Sequence, residues 1–161
     1  MPLRYCKIAL TGASSLFLLA VVFNNTTDYN SNYLFVRHVL SMDTTFPGNA
    51  GMWRALRAPL WHTVFYASII LWEALGCVLI GLGTLRLWRA RRATADVWEK
   101  AKSLASVGLT AGLLLWYIAF VTVGGEWFLM WQSKSWNGQE AAFRMFAMMG
   151  LNLIFLNMRD L

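Results

Sequence analysis

The chain has 161 residues, of which 58% are apolar and 14% charged, against about 45–50% and about 25% in ordinary soluble domains. A soluble domain of this size has too little interior to hide so much apolar surface, and the apolar residues come in long unbroken runs, which argues against a soluble fold. The net charge of +6 does not point to nucleic acid. The basic residues sit beside the apolar runs, and no Gly-rich phosphate loop, zinc-type Cys/His spacing or stacking-aromatic motif accompanies them.

Arg4 and Lys7 flank the start of a first apolar run, residues 6–23. Its end, Val21-Val22-Phe23, lacks the small residues of a signal-peptide cleavage site, so the run reads as an uncleaved transmembrane helix. Residues 24–59 follow as a long external segment. Asn24 to Asn32 is dense in turn formers, Tyr33 to Met42 predicts a short interfacial helix, and Phe46-Pro47-Gly48-Asn49 predicts a turn. Trp53 to Arg57 reads as a piece lying at the headgroups, with Trp as anchor and Arg snorkelling. So long a segment rarely stays structureless in a compact domain, so it is expected to fold over the mouth of the bundle. The second run covers 60–85, with Pro59 in its first turn, where proline is tolerated. A basic cytoplasmic loop, 86–103, leads to the third run, 104–131, long enough to tilt. A polar turn at 132–140 and a fourth run, 141–157, complete the chain.

These runs predict an all-α integral membrane protein: one domain, 1–161, with four transmembrane helices and a structured extracytoplasmic segment between the first two. Arg4, Lys7, Arg86, Arg89, Arg91, Arg92, Lys100, Lys102 and Arg159 fall on one side; Arg37, Arg54, Arg57, Lys134 and Arg144 fall on the other. The excess on the first side predicts that both termini are cytoplasmic. Cys6 and Cys77 belong at different depths, so no disulfide is expected.

Glu73, near the middle of the second run, is the most informative residue. An ionised carboxylate at that depth costs roughly 2.5–3.5 kcal/mol, so it must face the interior, pair, or stay protonated. Helical spacing places His62, Tyr66, Glu73 and Cys77 along one stripe. Two readings stand side by side: a proton, ion or ligand site, or a neutral Glu hydrogen-bonding across helices, for instance to Asn152. Glu126 projects onto the face of Gly108 and Gly112, a GxxxG pair that permits close helix approach. It is expected to pair with Arg144, with Glu140 as competitor, as a device that fixes helix register.

His38 and His62, with Asp43, Met42, Met52 and Glu126, are candidate metal or haem ligands. No spacing is diagnostic, so histidines bonded to backbone or carboxylate are the better reading and no cofactor is expected. Met145, Met148 and Met149 read as flexible packing. Trp127, Trp131 and Trp136 read first as aromatic belt; with Arg37, His38 and Asp43 they are the candidate external binding face. The Arg86 to Lys102 loop is a secondary candidate for anionic lipid. No nucleophile–base pair with suggestive spacing points to an enzyme.

GGEWFLMWQSKSWNGQEAAFR (Gly124 to Arg144), FVRHVLSMDTTFPGN (Phe35 to Asn49) and the Pro59–His62 and Glu73 region together resemble a family of bacterial predicted small integral membrane proteins, a domain of unknown function. The resemblance covers nearly the whole chain. It implies a four-helix protein of the bacterial cytoplasmic membrane and carries no activity with it. The leading functional reading is a non-catalytic accessory or scaffold subunit that binds a membrane-protein partner or lipid, or assembles as a homo-oligomer. One alternative is a small proton-coupled transporter or channel using Glu73 and Glu126. Another is a redox component holding haem, copper or quinone at the external face.

Overall fold

The apolar runs become long helices. In the computed structural model, which describes residues 2–160, α1 spans Pro2–Thr27, α2 Tyr29–Ser41, α3 Pro59–Ala90, α4 Ala95–Leu114 and α5 Gln139–Asn157. α4 continues through Leu115–Trp127 in a wider π-helical winding. Short 3-10 turns occupy Met52–Arg54 and Met130–Gln132. There is no strand among the described residues. Three stretches, Pro2–Thr27, Pro59–Ala90 and Ala95–Trp127, are long and apolar enough to cross a membrane. α5 falls outside that group because Gln139, Glu140, Arg144, Asn152 and Asn157 dilute its 19 residues.

Helix extends further than the turn formers and charges suggest. Asn24 to Thr27 stay in α1, because the Thr26 and Thr27 hydroxyls donate back to the Val22 and Phe23 carbonyls at 2.8 and 2.7 Å. The hydroxyls are satisfied inside the helix, and the break falls one residue later, at Asp28. The basic loop expected over 86–103 shrinks to residues 91–94, its flanks being the last turns of α3 and the first turns of α4. The run expected to reach 131 stops at Trp127, and Leu129 turns the chain with a positive φ of 54°.

α3 runs antiparallel to α1 and to α4, while α5 lies against α1 and α4. Small residues set the closest contact. A Cβ added to Gly83 would lie 2.5 Å from the backbone nitrogen of Ala105, and one on Gly108 would lie 2.7 Å from that of Ile80. The α3 and α4 backbones therefore cross in direct contact, which only glycine permits. Leu18, Ile80, Leu87, Trp98 and Leu109 fill the core around this crossing with no exposed surface.

The first turns of α1 and the residues after α5 meet at one end of the bundle. Lys7, fully buried, donates to the Asp160 carboxylate at 2.6 Å and to the Met158 carbonyl. Arg4 reaches the same carboxylate at 3.2 Å and the Ala93 carbonyl at 2.8 Å. Lys102, also buried, joins Met158 from α4 and pairs with Glu99 at 2.7 Å. An unpaired ammonium at such a site costs several kcal/mol, so the tail that supplies Asp160 closes the bundle. Burial pushes the Asp160 carboxyl up, but the hydrogen bonds and charges of Lys7, Arg4 and Lys102 outweigh it and hold the group below its ordinary value. A depressed folded-state pKa contributes stability that is fully present above the ordinary aspartate value and is lost as pH falls below that value and through the folded-state pKa. Asp160→Asn is therefore expected to destabilise the bundle by about 1–3 kcal/mol at pH 7. In detergent unfolding titrations, the difference from wild type should fade as pH drops below the ordinary value of 3.8.

Candidate ligand site

The extra turn of α1 brings Asn25 to the carboxyl of Glu73. Asn25 Nδ2 donates to Glu73 Oε2 at 2.7 Å, and Asn25 Oδ1 accepts from Asn32 Nδ2 of α2 at 2.6 Å. The Asn25 carbonyl accepts from the Tyr66 hydroxyl at 3.2 Å. Asn25, Tyr66 and Glu73 are all at most 5% exposed. One asparagine thus joins α1, α2 and α3 through a chain of buried hydrogen bonds. Glu73 Oε1 has no hydrogen bond among the described residues.

That carboxyl stands at the wall of a cavity of about 300 Å³, bordered also by Asn25, Tyr66, Trp116, Phe120 and Ala142. An apolar pocket of about 200 Å³ adjoins it and shares the walls Phe35, Val36, Ile69 and Phe120. Glu73 is mid-helix in α3, yet its neighbours are Asn25 near the end of α1 and Ala142 in the first turn of α5. The cavity therefore lies toward the end of the bundle away from the chain termini, because α3 overshoots α1 on that side. α2 covers the overshoot: Tyr29 and Tyr33 pack on Tyr66 with ring centroids 4.7 and 6.3 Å apart.

His62, Tyr66 and Glu73 lie along the buried face of α3, and Cys77 donates to the Ser15 carbonyl at 3.4 Å. Asn152 is not the partner of Glu73. It donates to the Leu10 carbonyl and the Ser14 hydroxyl at 2.9 and 2.7 Å, joining α5 to α1 well away from that carboxyl.

Glu126 and Arg144 are not brought together: both are exposed, and neither enters an ion pair among the described residues. The winding of residues 115–127 explains the miss. Bonds of the i→i+5 type, such as Phe128 N–H to the Val123 carbonyl at 2.9 Å, advance each residue by a smaller angle than an α-helix does. A face projected at 3.6 residues per turn therefore drifts. Gly108 and Gly112 are buried, Ala119 is half-buried, and Thr122 and Glu126 have rotated outward.

His62 Nε2–H donates to the Leu56 carbonyl at 2.7 Å. His38 bonds Asp43 at 2.8 Å and stacks on Trp136 at 4.5 Å between centroids. The two histidines thus serve separate partners, and no three of His, Cys, Asp and Glu converge among the described residues. Trp127 packs edge-on against Trp53, with the Arg54 guanidinium 5.1 Å from the Trp127 ring centre, while Trp131 packs against Phe46. These tryptophans join the segment before α3 to the segment before α5. Arg37 stands apart from them, on the groove beside α3.

Sequence reasoning missed Asn25. Its signal is a seven-residue spacing: Thr11, Leu18 and Asn25 are all buried on one face of α1, so extending the stripe by one heptad reaches it.

Long apolar helices that cross at glycine and turn Leu71, Leu75, Val78, Leu82 and Leu85 outward define an integral membrane protein. The chain belongs to the family described as predicted small integral membrane protein (DUF2165), a domain of unknown function, whose model matches residues 3–159. No curated protein and no solved structure matches the chain.

The hydrogen bond between Asn25 and Glu73 is open to a double-mutant cycle. Asn25→Ala and Glu73→Ala should show a coupling of about 1–3 kcal/mol in reversible detergent unfolding. Strictly additive losses would mean that the two side chains do not interact.

Proposed function

We propose that this chain is a four-span protein of the bacterial cytoplasmic membrane, both ends cytoplasmic, and that it works as a non-catalytic binding subunit for an amphiphile drawn from the bilayer. The excess of basic residues beside the chain termini supports the orientation. The outer side of α5 supports a fourth span. Phe143, Leu151 and Ile154 are 64, 68 and 63% exposed, a surface suited to lipid, and 19 residues reach about 28 Å, close to the roughly 30 Å hydrocarbon core. Reporter fusions after Ala95 and after Leu161 should both give cytoplasmic signals; a periplasmic signal at either contradicts the orientation.

The observation that carries the binding role is the half-satisfied Glu73 carboxyl at the wall of a cavity that shares Phe35, Val36, Ile69 and Phe120 with an apolar pocket. Ligand pockets are mostly apolar with a few placed polar groups. Glu73 offers the polar anchor, and the pocket beside Phe35, Ile69 and Phe120 takes the hydrocarbon part. The proton-coupled alternative retains only one of its two carboxylates inside the bundle, since Glu126 is exposed.

The test is purification from native membranes in mild detergent, with mass spectrometry of co-purified small molecules and proteins. Wild type should carry an amphiphile near stoichiometry whose retention depends on Glu73. Glu73→Leu, and Ala141→Trp, which fills the cavity from an exposed position, should each lower it about tenfold. Equal recovery from all three proteins contradicts the site. A stoichiometric membrane-protein partner with no small molecule would instead place the binding role on the outer surface.

A further inference from the structure

A second site lies on the same end of the bundle, in a groove of about 540 Å³ between α2 and the start of α3. Arg37 comes to it from α2 and Arg57 from the residues just before α3. The Leu56 N–H donates to the Leu40 carbonyl at 2.8 Å, which pins that strand of chain to the end of α2 and holds the two arginines to one groove. Both guanidinium groups are exposed, and neither has a hydrogen bond or ion pair among the described residues. Asp43, the one acid on the groove, is already bonded by His38 at 2.8 Å.

The rest of the lining suits an anion. His62, 3% exposed, also borders the groove, with Nε2–H given to the Leu56 carbonyl and Nδ1 without a partner among the described residues. Ser41, 3.4 Å from His62 Nε2, and Tyr33 add hydroxyl groups. Pro59 places the N-terminal end of the 32-residue helix α3 at the rim, where the helix dipole adds positive potential. Two guanidinium forks on one groove suit the oxygens of a phosphate group.

The surroundings identify the source. Trp53, Leu60 and Trp61, beside the groove in sequence, are 74, 67 and 47% exposed. Exposed tryptophan and leucine next to arginine mark the headgroup level of a bilayer. We propose that this groove binds the phosphodiester of an anionic phospholipid, one whose headgroup carries no ammonium to be repelled by the arginines. The proposal stands on residues separate from the Glu73 cavity and does not depend on that cavity being occupied.

The experiment is native mass spectrometry of lipid retention, using full-length protein equilibrated with equal amounts of phosphatidylglycerol and phosphatidylcholine. Wild type is expected to retain phosphatidylglycerol about tenfold over phosphatidylcholine. The double variant Arg37→Gln/Arg57→Gln should abolish that preference, and its two sites are exposed, so the fold is kept. Arg86→Gln/Arg89→Gln, on the opposite end, should leave the preference in place. A preference absent in wild type, or unchanged in the Arg37/Arg57 variant, overturns the proposal. Titration with inorganic phosphate separates the sources. Phosphate binding that is lost in the Arg37/Arg57 variant, without any lipid preference in wild type, would overturn the lipid assignment in favour of a soluble phosphate.

Discussion

A carboxyl group inside an apolar helical bundle must be given hydrogen bonds by the protein, because neither lipid nor the helix backbone can supply them. Glu73 imposes that demand, and several features at one end of the molecule answer it. α1 continues through Asn24 and Asn25 although both are poor helix formers, since only there does an amide reach Glu73 Oε2. The chain then turns at Asp28, and α2 brings Asn32 back onto Asn25. Tyr66, one face of α3 above Glu73, spends its hydroxyl on the Asn25 carbonyl. Removing the amide would leave the carboxyl with no bonded oxygen and α2 with one tie fewer to α1.

The two ends of the bundle solve opposite electrostatic problems. Beside the chain termini the buried charges are cations, Lys7 and Lys102, and the tail brings Asp160 and the Met158 carbonyl to meet them. At the far end the buried acid Glu73 is met by one neutral amide, that of Asn25. The first arrangement is closed: the charges and the tail carbonyl are used up in binding one another. The second is open, since Glu73 Oε1 remains unengaged and borders a cavity. That asymmetry is why the binding role is placed at Glu73 and the fastening role at Asp160.

Much of the fold is legible in sequence because apolar runs and their flanking charges are long-range patterns. The three long helices follow from the apolar runs, the turn at Phe46 to Asn49 from its proline, glycine and asparagine, and the buried stripe of His62, Tyr66 and Glu73 from helical spacing. The close α3–α4 approach is half legible: Gly108, which meets Ile80, is visible as part of GxxxG, whereas Gly83, which meets Ala105, has no motif around it. Two things stay hidden. Partner choice among buried polar residues depends on helix length and tilt, so the sequence offers Asn152 to Glu73, and Asn25 becomes the partner only through the extra turn of α1. The winding change after Leu114 leaves no mark in Leu115 to Trp127, whose apolar residues suit either winding, and it carries Glu126 away from the face that α-helical counting assigns.

The proposed binding role makes the space beside Glu73 a ligand site and not a packing defect. It is tested most directly by an experimental structure of the wild-type protein in lipid nanodiscs, at a resolution that distinguishes non-protein density between helices. Continuous density is expected, with its polar end within hydrogen-bonding distance of Glu73 Oε1 and its body beside Phe35, Ile69 and Phe120. A cavity collapsed by movement of Trp116 and Phe120, or one holding only isolated water, would contradict it.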